Sequence, residues 1–445
     1  MDEGKSRNRI NLFFVIMAFC LFLSGCAAKA EEKADVKSLT LAVFEYGSQQ
    51  RDSDLRKWVN QYNGEHPEVQ IEIVNYLERY PDQEEAINQI KIEINAGKGP
   101  DMINFGRQYS PLDASNGMLA DLYPLMQTDE TFDKGDYYYN IMEAFAVDDS
   151  LYVIVPGYII DTYVTGNEQL AGLDGMSVDE LVDAYNKLEA GSILFPGETK
   201  KAVFGMICYG SMENYINWDE GTCNFHGESF KKVLRFADSF PLNLNIEEDY
   251  SAKTVYMEGR ALLYPVSIGN VYNVTGVRML YGRTPAYIGY PVDSGCGSMA
   301  EIADIAIGIS STSRYKEEAW NFIRSLLDSE FQDMMEDGLP LRVSSLEQNL
   351  ENAMREEFDA NGEKIAKETV RFEGEEPENI YAITAEDAET LKSMIQKIEY
   401  NASVDINLYN ILLDETEYLF YDNRDVDAVA DIIQNRASIY ISEKK

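Results

Sequence analysis

Histidine is nearly missing from this chain: only His66 and His226 occur in 445 residues. His66 precedes Pro67 in a helix-exit turn and His226 falls in a turn-like stretch, so a Ser-His-Asp arrangement has little material. No G-x-S-x-G elbow, P-loop or G-x-G-x-x-G fingerprint is present, and "GCGSMAEI" falls one glycine short. Cysteine is also scarce. Of five, Cys20 and Cys26 lie at the start, leaving Cys208, Cys223 and Cys296 with no CxxC among them; an odd set without that spacing argues against a disulfide framework. Cys223 and His226 have a C-x-x-H spacing without a second pair, so no metal site is expected. Positive charge is short as well, with 38 Lys and Arg against 77 Asp and Glu, a formal charge of −39. Such a chain repels phosphate backbones and anionic lipid heads, which argues against nucleic-acid binding. We read the acidity as a solvated face that aids solubility, with attraction of a cationic ligand as the alternative. Paired carboxylates of the glycosidase kind stay open, because nothing singles out one pair.

Long apolar runs are limited to one, "INLFFVIMAFCLFLSG" at residues 10–25. It is too short for a comfortable bilayer span and follows Lys5, Arg7 and Arg9, the pattern of a signal peptide. Leu23, Ser24, Gly25 and Cys26 resemble the lipobox of bacterial lipoproteins. That resemblance implies acylation of Cys26, which becomes the mature N-terminus, and two acyl chains give the anchoring that a single one does not. Residues 27–38, small and charged, read as a flexible tether. The expected location is the extracytoplasmic face of a cell membrane, of Gram-positive type.

What is present is an alternation of strand and helix patterns. "LTLAVFEYG" is a short apolar run ending in glycine, as for a strand buried on both faces. In "RDSDLRKWVNQYNGEHP", Leu55, Trp58, Val59 and Tyr62 recur at helical spacing behind a polar cap candidate. "VQIEIVNY" alternates as a strand. "PDQEEAINQIKIEINAGKGPD" places Ile87, Ile90 and Ile94 on one stripe and stops at Gly97, and "MINF" follows as a strand. This order predicts a parallel α/β unit. Further on, "LYVIVPGYIIDTYV" reads as extended chain and "SVDELVDAYNKLEAG" as a helix with a Ser177–Glu180 capping box. "AVFGMICYG" and "GRALLYPVS" read as strands, "STSRYKEEAWNFIRSLL" as a helix on Ala319, Phe322, Ile323 and Leu326. Residues 384–441 show helical periodicity alone. Trp58 and Trp320 lie on apolar stripes and are expected in the core.

The order of lipobox, "LTLAVFEYG", "GKGPDMINF", "LYVIVPGY", "INWDEGTCNFHGESF", "YMEGRALLYPVS", "AIGISSTSRYKEEAWNFI" and "AVADIIQNRASIYISE" resembles the extracellular solute-binding proteins of ABC importers, in their large carbohydrate-type, maltose-binding-protein-like branch. The resemblance implies an α/β, two-lobe fold of the periplasmic-binding-protein type II with hinge crossovers and a helical C-terminal region. It places an N-lobe at 39–157 plus 291–337 and a C-lobe at 158–290 plus 338–445. It also implies a sugar or oligosaccharide bound between the lobes, an ABC permease as partner, no cofactor, and a monomer. Ligands of open α/β sheets sit beyond the carboxyl ends of strands. By that rule the candidate ligand residues are Tyr46, Gln49, Phe105, Arg107, Tyr158, Tyr209, Tyr264 and Ser267. Trp218 and Arg342 join them by resemblance to family positions. Aromatic rings stack on pyranose faces while paired donors and acceptors meet hydroxyls. Two alternatives accompany this reading: a surface enzyme acting on glycans, and a solute sensor for a membrane kinase.

Overall fold

A computed structural model describes residues 36–47, 52–110, 117–147, 149–173, 175–218, 220–244, 251–292, 295–402 and 404–444. The signal segment, Cys26, most of the tether and Gln49 therefore lie outside the described residues. Strands run in the order β1 (Lys37–Val43), β2 (Val69–Asn75), β3 (Met102–Asn104), β4 (Gly157–Thr165), β5 (Ile216–Asn217), β6 (Thr222–Cys223), β7 (Tyr264–Ile268), β8 (Ala286–Tyr287), β9 (Met299–Ile302), β10 (Ile307–Ile309), β11 (Leu339–Pro340), β12 (Glu368–Val370), β13 (Glu378–Ile380) and β14 (Tyr400–Asn401).

The first sheet has the order β10-β3-β1-β2. β1 pairs in parallel with both β2 and β3, as the strand-helix-strand pattern requires: parallel neighbours need a crossover, and helices Asp54–Glu65 and Gln83–Asn95 supply it. Each helix starts where a side chain accepts a free backbone N–H. Ser53 takes that of Arg56 and Asp82 that of Glu85. The stripes Leu55, Trp58, Val59, Tyr62 and Ala86, Ile87, Ile90, Ile94 are buried against the sheet. β10 closes the sheet in the opposite direction, with Ile307 across from Asn104, and belongs to chain that has returned from elsewhere.

That elsewhere is the second sheet, in which β4 pairs with β7, β8, β9 and β11 and β14 pairs with β9. The backbone passes between the sheets near Pro156, at 303–306 and near Gly338. Residues 299–302 therefore sit in the second sheet, past the expected border at 291. Gly338 adopts φ +87°, and a Cβ there would stand 2.5 Å from the Ala303 Cβ and 3.2 Å from the Tyr158 backbone, so glycine lets the crossings touch. One core surrounds the first sheet and the hinge-side face of the second; another, with Phe204, Phe225, Phe230, Leu408 and Ile433, lies on the other side.

Two expectations fail here. "AVFGMICYG" is the helix Lys200–Ser211, capped by Thr199 through the N–H of Ala202, and not a strand. Its Val203, Phe204, Met206, Ile207 and Cys208 are all buried, and a helix apolar on most sides carries no period by which to tell it from a buried strand. The C-terminal stretch is mainly helical, ending in Val426–Lys444. It nevertheless contributes β14, whose Tyr400 lies beside Met299 in parallel pairing. The Ser177–Glu180 capping box forms as the spacing predicts. Trp58 and Trp320 are interior, their indole N–H groups donating to Ser325 and Asp129 at 2.9 Å.

Candidate functional site

Side chains alternate across a strand, so β4 presents Tyr158, Ile160 and Thr162 to one side and Ile159, Asp161 and Tyr163 to the other. Register then gathers the rest. Asp161 is directly opposite Ser267 of β7 and Met299 of β9, while Glu301 is opposite Ile159. Asp161 and Glu301 are thus diagonal neighbours on one face, within reach for a long side chain. The Ser267 hydroxyl donates to Asp161 Oδ1 at 2.5 Å. Burial, and next the Asp161 charge, push the Glu301 carboxyl above its ordinary range, with Arg107 opposing.

Two tyrosines stand over this pair. Tyr209 comes from helix Lys200–Ser211 and Tyr290 from the loop after β8; their ring centroids are 5.1 Å apart. Tyr163 meets Tyr290 edge-on at 4.9 Å. Gly210 makes the approach feasible, because a Cβ there would come within 2.5 Å of the Tyr290 Cβ. Both phenols are held protonated, first by burial and then by the charges of Asp161 and Glu301.

The facing wall comes from the first sheet. After β3 the chain turns through Gly106 at φ +58°, its Cα beside the Asp304 carbonyl, and Arg107 follows with Nε donating to the Ala303 carbonyl at 2.6 Å. Arg107 lies within electrostatic reach of both Glu301 and Asp304. Burial, then Asp337 and Asp54, push the Asp304 carboxyl up. A recess of about 180 Å³ opens at this junction, lined by Asp54, Pro156, Gly157, Asp304, Phe331 and Asp337 among others.

Of the sequence candidates, Arg107, Tyr209 and Ser267 come together here. Tyr46, 56% exposed, stands beyond the end of β1. Phe105 and Tyr158, 2% and 0% exposed, are interior and present no surface to a guest. Phe105 packs against Phe44 and Tyr109, and Tyr158 lies on the core side of β4, where an almost wholly apolar strand gives no clue to parity. Tyr264 leans on Tyr256 at 5.0 Å, on the face of β7 away from Ser267. Trp218 sits in the β5–β6 turn, its indole bonded to Glu213 at 2.7 Å. Arg342 is taken up by Asp136 at 3.1 Å, the Tyr137 hydroxyl and the Leu327 carbonyl. Asp161, Glu301, Asp304 and Tyr290 were not singled out. The signal was present for two of them: Asp161 is the one charge in "LYVIVPGYIIDTYV" and Glu301 interrupts an apolar strand.

Residues 57–345 match the sequence profile of bacterial extracellular solute-binding proteins. The chain belongs to that family. Among curated proteins, none matches it in sequence. Solved structures similar to this solute-binding protein include the sugar-binding protein MalE from Xanthomonas citri, with 15% identity over 92% of this chain and 98% of that one and a TM-score of 0.54. A periplasmic oligogalacturonide-binding protein from Yersinia enterocolitica has 13% identity, 92% and 99% coverage and a TM-score of 0.54. A family 1 extracellular solute-binding protein from Alicyclobacillus acidocaldarius has 13% identity, 91% and 98% coverage and a TM-score of 0.52. At such identities the likeness speaks for the two-lobe fold, which this solute-binding protein shares.

Proposed function

We propose that this solute-binding protein is a lipid-anchored receptor that holds a sugar or oligosaccharide between its lobes and hands it to an ABC permease. The observation that carries this is the convergence of Asp161 and Ser267 of the second sheet, Tyr209 and Tyr290 of the helix and loop beside it, and Arg107 from the first sheet's side. Rings offer stacking surface, and carboxylate, hydroxyl and guanidinium offer directional partners to hydroxyls. Two of the similar folds are described as binding a sugar and an oligogalacturonide, which supports a carbohydrate guest. Closing about the crossings at Pro156, 303–306 and Gly338 requires the guest to favour the closed form, by about 5.5 kcal/mol to turn a 1:99 population into 99:1. Contacts from both walls supply such a difference. Among the described residues no helix is long and apolar enough to cross a membrane, and the lipobox at Cys26 supports attachment by acyl chains instead.

A sugar panel titrated into the full chain in detergent tests the binding reading: a melting shift with the sugar recovered unchanged is expected, whereas product formation would overturn it. For the anchor, Cys26→Ala is expected to move the protein from the membrane fraction to the medium; retention in the membrane would defeat that part.

A further inference from the structure

The cleft is short of positive charge where it is least solvated. Asp161 and Glu301 share one face of the second sheet, Asp304 and Asp337 line the recess at the junction, and among the described residues none of the four has an ion pair within 4 Å. Arg107 acts on Glu301 and Asp304 from a position tied to the Ala303 carbonyl. The neighbouring carboxylates Glu45 and Asp54 are already held, by Arg56 at 2.6 Å and Lys57 at 2.9 Å. Asp161, nine-tenths buried, accepts from the Ser267 hydroxyl and has Glu301 as its diagonal neighbour on the same sheet face. Two carboxylates side by side must share a proton or be joined by a cation.

An aromatic cluster lies on the same face of β4 as Asp161: Tyr163, two residues on, meets Tyr290 edge-on at 4.9 Å. The Tyr209 and Tyr290 rings lie 5.1 Å apart, tilted by 44°, and their phenols feel the charges of Asp161 and Glu301. The Tyr209 hydroxyl is turned away toward the Ala402 carbonyl at 3.4 Å, so the ring, and not the phenol oxygen, is what this residue offers. A neutral polyol would donate hydrogen bonds here yet leave the net negative charge in place. An ammonium would replace the shared proton, and it is also the group that ring faces attract.

We propose that the solute carries a protonated amine, which seats between Asp161 and Glu301 beneath Tyr209 and Tyr290; the guest is a basic, amine-bearing carbohydrate. This rests on the cleft reading above and narrows it. The probes are glucosamine and its short β-1,4-linked oligomers, each against the N-acetylated counterpart of equal length, with maltotriose as a neutral sugar and spermidine as an amine without a sugar. Calorimetry on the full chain in detergent is expected to show the free amine binding at least about tenfold tighter than its acetylated twin. The advantage should shrink as salt rises from about 0.05 M to about 0.5 M. Asp161→Asn and Glu301→Gln, isosteric changes whose folding is checked by thermal unfolding, should erase the preference. Equal or tighter binding of the acetylated or neutral sugars overturns the amine inference and leaves the carbohydrate reading standing. Binding of spermidine alone keeps the cation and discards the sugar. No heat from any member overturns both.

Discussion

Two acidic sites of this molecule differ in how their charge is answered. Asp387, 1% exposed, receives a fork from Arg278 at 2.8 and 3.0 Å, the Thr275 hydroxyl at 2.8 Å and the Thr384 N–H at 3.0 Å. These bonds outweigh its burial and hold its carboxyl below the ordinary range. Glu301 and Asp304 have no comparable set, and burial holds them above it. Both sites bring carboxyl groups out of water. Asp387 knits helix Asn273–Tyr281 to helix Ala385–Gln396, whereas among the described residues no side-chain hydrogen bond within 3.5 Å or ion pair within 4.0 Å ties Glu301 or Asp304 to another element. A buried charge with every partner supplied is architecture; one left wanting is an invitation to something from outside.

The comparison breaks most visibly at its satisfied end. Asp387→Ala leaves Arg278 without its fork and Thr384 without its capping partner, and should cost about 3 kcal/mol in denaturant unfolding, at the low end for a broken buried pair because Arg278 still reaches solvent. A loss below about 1 kcal/mol would mean that the two sites are alike.

Next comes pH. Glu301 and Asp304 bind protons more readily folded than unfolded, so their contribution is full below the ordinary carboxylate range of about 4.3 and is lost as pH rises through their raised values. Asp387 runs the other way, its contribution present above that range and lost as pH falls through its lowered value. Glu301→Gln should therefore be more stable than the parent at neutral pH, by about 1–2 °C in midpoint, with the gap closing on acidification. A gap that widens toward low pH would show that the cleft carboxyl is satisfied after all.

The smallest effect is a control outside both sites. Ser177→Ala removes an exposed capping box in which the Ser177 hydroxyl accepts the Glu180 N–H at 3.2 Å and Glu180 accepts the Ser177 N–H at 2.8 Å. Its cost should be about 0.5–1 kcal/mol and independent of the amine probes.

Much of the architecture was legible because amphipathic periods and caps are local. Ser53, Asp82 and Ser177 each open a helix where the residue pattern puts one. Lys200–Ser211 was not legible, since the unbroken apolar run at 203–208, all of it buried, erases the period that separates helix from strand. The cleft was legible only in part, and for a different reason. Whether Tyr158 or Asp161 faces the guest depends on strand parity, and "GYIIDTYV" is apolar on both sides except at one residue. That Glu301 comes beside Asp161 depends on the register of β9 against β4, set between segments more than a hundred residues apart. A rule that a carboxylate alone in a buried strand must have a reason would have found both.

Gly338 carries a consequence for movement. With no space for a methyl group between it, Ala303 and the backbone of Tyr158, the strands that join the halves are laced side by side like the cords of one ribbon. In the closure proposed above, bending would be shared by the whole ribbon, so that the jaws swing along one arc, and a solute arriving at the rim would meet a door with a single pivot.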